Sequence, residues 1–124
     1  MIDNTNISVN GIAHIALSVK SLNISKSFYK QLMPFLGLRI IHESNKSIYF
    51  IGSRTGVLIQ EINKKNISSN FSQNNVGLHH FCFRAREKKH IYLLEKKLKS
   101  IKANIVRGPI NGTWAPGYFY ILFE

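Results

Sequence analysis

Cysteine is almost absent from this sequence: Cys82 is the only one in 124 residues. That excludes an internal disulfide and a multi-cysteine zinc site. Long apolar runs are missing as well, and without about 18 consecutive apolar residues there is no membrane-spanning helix. The opening, Met1 to Asn10, has neither the basic nor the apolar stretch of a signal peptide, so the expected location is cytoplasmic. Neither a phosphate-binding loop nor a dinucleotide glycine pattern occurs, and no Ser-His-Asp arrangement can be argued. Acidic residues are few, six against seventeen Lys and Arg, which gives a formal net charge of +11. Such a charge suits a solvated surface, the steering of an anionic ligand, or nucleic acid. The cations are spread along the chain apart from a group on one helix, which argues against a nucleic-acid surface.

What is present is ordinary globular composition, 44% apolar and 19% charged, in the length of one domain. Gly11 to Val19 reads as a strand. Ser21-Leu22-Asn23 offers capping groups for a helix whose apolar stripe is Ile24, Phe28, Leu32 and Phe35 or Leu36. Pro34 should distort or end that helix, and Gly37 is a natural C-terminal cap. Three short strands follow, Leu38 to Glu43, Ser47 to Gly52 and Gly56 to Ile62, separated by turns of hairpin length.

Asn63 to Asn75 is polar and aperiodic, a linker between two halves. The second half opens with Gly77 to Ala85, read as a strand that buries Cys82 as a small hydrophobe. Glu87 to Lys102 is an amphipathic helix with Ile91, Leu94, Leu98 and Ile101 on one face. Asn104 to Val106 is a short strand, Gly108 to Gly117 a loop, and Tyr118 to Glu124 a final strand.

The halves repeat. His14-Ile-Ala-Leu-Ser-Val aligns with His80-Phe-Cys-Phe-Arg-Ala at an offset of 66, and the same offset carries on past the helix, setting Gly37 on Ala103 and Ile40 on Val106. His14 and His80 thereby occupy equivalent positions, and two imidazoles from duplicated halves can converge on a divalent metal.

GIAHIALSVKSLNISKSFYKQLMPFLGLRII, GLHHFCFRA and PGYFYILFE resemble the vicinal oxygen chelate superfamily, which includes glyoxalases, bleomycin-resistance proteins and extradiol dioxygenases. The resemblance spans Gly11 to Glu124. It implies an α+β domain over 1–124, with two βαβββ-type modules (11–62 and 77–124, the second lacking its last strand) forming a curved mixed sheet around a cup-shaped site. It also implies a divalent metal (Fe, Mn, Zn or Ni) held by His14, His80 and either Gln60 or Glu61. The family's fourth ligand follows a turn that should begin where this chain ends, so no residue here matches it.

Two activities follow from the resemblance. One is a metal-dependent lyase, isomerase or dioxygenase acting on a small oxygenated or aromatic substrate. The other is metal-free sequestration of a drug or aromatic ligand. Trp114, Tyr118 and Tyr120 are the candidates to line the cup, the ligand is expected to be small and anionic, and the chain is expected to form a homodimer.

Overall fold

A computed structural model of the chain describes residues 6–66, 68 and 70–124. Residues 1–5 of the leader reading and positions 67 and 69 of the linker lie outside the described residues. The protein is α+β, with a mixed four-stranded sheet, a second sheet of two strands, and neither sheet closed. It comprises two compact units, Met1–Ile67 and Ser68–Glu124.

The first unit runs β1 (His14–Val19), α1 (Leu22–Phe35), β2 (Arg39–Glu43), β3 (Ser47–Gly52) and β4 (Thr55–Glu61), in sheet order β1-β4-β3-β2. Strands β1 and β4 are parallel, and the other pairs are antiparallel. The side chain of Ser21 caps α1 by accepting the amide of Ile24, as the polar run before the helix suggests. Pro34 is accommodated in the last turn. Behind it Gly37, at φ +89°, ends the helix: its amide donates to Pro34 and that of Leu38 to Met33. These two bonds help satisfy the carbonyls of the last helical turn, that of Met33 being shared with the Leu36 amide. Between β3 and β4 the chain reverses through Ser53 and Arg54 alone, both at positive φ, a two-residue turn whose twist matches the strands.

Alternation then sorts the sheet into two faces. Ile48, Phe50, Val57 and Ile59 are fully buried on the α1 side, with Leu22, Leu32 and Met33 packed from the helix. The buried stripe of α1 is therefore rotated from the expected one. Ile24 is 77% exposed and Phe35 45%, because Leu22 rather than Ile24 leads the row that meets the sheet.

The second unit contains α2 (Lys88–Ser100), β5 (Ile105–Asn111) and β6 (Phe119–Phe123), with β5 and β6 antiparallel. Helix α2 turns its expected stripe inward, and Leu98 is fully buried. Two expectations are corrected here. Gly77 to Ala85 is not a strand. Its counterpart β1 is held by β4, and the described residues of the second unit include no strand in the place of β4. Cys82 is consequently exposed, not buried. Strand β5 also continues through Gly108 and Pro109, read from sequence as loop. The pairing slips between Arg107 and Ile110, and such an irregularity is where a strand tolerates proline.

The two helices keep the offset of 66 at their starts and lose it at their ends. The N-caps Ser21 and Glu87 are 66 residues apart, whereas the left-handed C-terminal residues Gly37 and Lys102 are 65 apart. Helix α2 is one residue shorter than α1.

Candidate ligand sites on the open sheet faces

The face of the first sheet turned away from α1 carries His14, which lies beside Gly56 of β4 in the parallel register. Tyr49 of β3 belongs to the same face. Its ring reaches across Gly56, where any Cβ would collide with its phenol, and stands edge-on to the His14 imidazole at 6.4 Å. Glycine at this position is what allows the tyrosine to approach the histidine. His42, opposite Tyr49, and Arg39, opposite Ile51, extend the face across β2.

The register separates the two donor candidates on β4. Gln60 shares the face of His14 but pairs with Ser18, four positions further along the strands, roughly 13 Å at strand rise. Glu61 pairs with Val19 on the opposite face. There its carboxylate accepts the amide of Leu22 at 3.1 Å and meets the Lys46 ammonium at 2.6 Å. Those two contacts, the Lys46 bond first and the Leu22 amide second, hold the Glu61 carboxyl below the usual carboxylate range. Glu43 does the same work from β2. Lys30 and Lys26 of α1 bind it at 2.8 and 3.1 Å and hold its carboxyl down. Both carboxylates pin the helix to the sheet.

His80 lies in the extended segment of the second unit. Its Nδ1 is 2.7 Å from Nδ1 of His79, and the two rings are 5.0 Å apart. In a regular strand the two imidazoles would point to opposite faces. Without strand pairing they turn toward each other. His14 and His80 thus belong to separate units. Among the described residues no group of three or more His, Cys, Asp or Glu side chains could hold a metal ion. The donors of the first unit do not fit one either. Near His14 its open face offers a phenol and a glycine, and Glu61 is engaged elsewhere.

The second unit gathers the three aromatic candidates. Tyr118 and Tyr120 alternate with Phe119, whose ring packs on Tyr92 and under Lys88 of α2, so the two tyrosines face away from the helix. Trp114 stands 5.0 Å from each, and the tyrosine rings are 5.8 Å apart. Gly112 permits this closure, since a Cβ there would lie 2.8 Å from Tyr118 Cδ1 and 3.2 Å from the indole. The thiol of Cys82 reaches the Tyr118 hydroxyl at 3.5 Å, and that contact raises the phenol's pKa. Arg107, which sequence reasoning passed over, sets its guanidinium 6.0 Å from the Tyr120 ring centroid. Its position between the two register shifts of β5 carried no signal in the sequence that could have marked it.

The family described as Glyoxalase/Bleomycin resistance protein/Dioxygenase superfamily matches residues 11–124. No curated protein matches the sequence. Among solved structures, a putative glyoxalase from Bacillus halodurans is similar, with a TM-score of 0.80 at 21% identity, over 91% of this chain and 86% of that one. The lactoylglutathione lyase of Agrobacterium tumefaciens gives 0.56 at 21% identity, over 80% and 75% of the two chains. The fosfomycin resistance protein FosX from Listeria monocytogenes, in a mutant form complexed with Mn(II) and 1S,2S-dihydroxypropylphosphonic acid, gives 0.61 at 19% identity, over 94% and 82%. At these identities the likeness is one of fold. No helix among the described residues is long and apolar enough to cross a membrane.

Proposed function

As this chain belongs to the Glyoxalase/Bleomycin resistance protein/Dioxygenase superfamily over residues 11–124, we propose that it binds a small organic molecule on the open faces of its sheets, without a metal. The observation that carries this reading is the cluster of Trp114, Tyr118 and Tyr120 on the helix-free side of β6, with the tryptophan 63% exposed. Aromatic faces left open to solvent offer apolar area at little cost in side-chain entropy, as ligand pockets require. A thermal-shift screen tests it. Aromatic ligands are expected to raise the melting temperature, and chelator to leave it unchanged. If no small molecule shifts the transition and chelator lowers it, the reading is wrong.

A second reading has support of its own. FosX was crystallised with Mn(II) and a small phosphonate, and His14 is solvent-exposed on an open face. On this reading the chain is a divalent-metal lyase, isomerase or dioxygenase, with Fe, Mn, Zn or Ni bound through His14 and His80, since Gln60 lies too far along β4 from His14 to share an ion with it. Elemental analysis decides it. Stoichiometric metal in the wild type should be lost in both His14→Ala and His80→Ala, and a metal content indifferent to both substitutions ends this reading. Under either reading we expect a cytoplasmic homodimer, its mass to be checked by light scattering.

A further inference from the structure

We infer that the second unit binds a planar aromatic carboxylate, its ring against Trp114 and Tyr118 and its charged group at Arg107. The inference rests on the small-molecule reading above and names the ligand class. Three rings within 5.0–5.8 Å of one another form an aromatic platform, and Trp114 keeps 63% of its surface in solvent. A flat ligand ring stacks on such a platform with the offset or tilted geometry that aromatic quadrupoles favour.

Arg107 supplies the sign of the charge. It pairs with Leu122 in the β5–β6 ladder, and its guanidinium lies over the Tyr120 ring at the border of the cluster. Among the described residues it makes no ion pair with a carboxylate, in contrast to Lys26, Lys30, Lys46, Lys89 and Lys99. A guanidinium held by a ring on one side keeps its planar fork of N–H donors for a carboxylate on the other. The +11 charge of the whole chain steers anions toward such a site. A cationic aromatic ligand meets repulsion from both.

The chain has one tryptophan, so its fluorescence reports on this cluster alone. Wild-type protein is titrated with 4-hydroxybenzoate, 4-hydroxybenzamide and 4-hydroxybenzylamine while tryptophan is selectively excited. The acid is expected to quench saturably, and the amide to bind at least about tenfold more weakly, the loss of one charged hydrogen-bonded pair. The amine should not bind. Arg107→Gln, an exposed change whose fold is verified by its melting curve, should bring acid and amide to equal affinity. Tyr120→Leu should weaken both. If acid, amide and amine bind alike, or Arg107→Gln leaves the preference for the acid intact, the carboxylate assignment is overturned. If the thermal-shift screen finds ligands that never change Trp114 emission, this site is overturned while small-molecule binding stands. Absence of any ligand in both assays overturns the parent reading too.

Discussion

Glu61, the last residue of β4, accepts the backbone amide of Leu22, the first residue of α1, at 3.1 Å. A strand end thereby supplies negative charge to a helix N-terminus whose first turn has no acidic residue of its own. The carboxyl sits below its ordinary pKa because Lys46 and this amide both favour the charged form.

The consequence for stability follows from that direction. A depressed carboxyl pKa stabilises the fold above the unfolded value, about 4.3 for glutamate, and the stabilisation fades as pH falls through the folded value. Glu61→Gln should therefore melt below wild type at pH 7, and the gap should close as the pH is lowered beneath about 4. Melting curves by circular dichroism across pH 3–7 check it. A gap that persists at low pH would assign the loss to packing.

Helix α2 ends on Lys102 at φ +61°, the position that Gly37 fills in α1. A side chain in this left-handed conformation costs about 1 kcal/mol relative to glycine. Lys102→Gly should raise stability by about that amount, read as a shifted denaturation midpoint with an unchanged slope.

Gly112 lies beneath the aromatic cluster. Gly112→Ala should push the Tyr118 and Trp114 rings apart, because its Cβ would enter within 2.8 Å of one and 3.2 Å of the other. The expected result is an altered Trp114 emission maximum and weaker binding of 4-hydroxybenzoate, with the far-ultraviolet dichroism retained. An unchanged emission spectrum would mean that the rings are not packed over this backbone.

The buried core is uneven. Among the described residues the buried hydrophobic side chains are Leu22, Leu32, Met33, Leu38, Ile48, Phe50, Val57 and Ile59 in the first unit and Leu98 in the second. Two strands and one helix support only marginal stability by themselves. Amides of β5 and β6 should exchange with solvent faster than those of β3 and β4 by native-state hydrogen exchange. Phe50→Ala should cost about 3–5 kcal/mol. Equal protection in the two sheets would contradict this uneven distribution.

Much of the fold could be read from residues. Turn signals and alternation located β2, β3 and β4 to within a residue, and the Ser21 cap and Gly37 stop bounded α1. The errors share a cause. Gly77 to Ala85 has the same apolar pattern as β1, yet a strand exists only where a neighbouring backbone completes its hydrogen bonds, and local pattern cannot reveal the neighbour. The rotated stripe of α1 arose because Ile24 and Leu22 are equally apolar, and only the sheet's position chooses between them. At the candidate site, Trp114, Tyr118 and Tyr120 were named from sequence and are adjacent in space. Gln60 and Glu61 could not be separated beforehand, because a slip of one residue exchanges faces. The pairing of His14 with Gly56 puts Gln60 on the face of His14 and Glu61 on the other. Arg107 and Tyr49 escaped notice, since their roles depend on what lies across the ladder.

Because Glu43 and Glu61 both point to the helix side of their sheet, held there by lysines and a backbone amide, the described part of the other side has no negative side chain. Arg39, His42 and His14 hold it instead. A polyamine or other cation approaching that surface finds nothing to neutralise it, while an anion meets no like charge to expel it. The way two acids were spent on fastening a helix therefore filters what the opposite surface will admit.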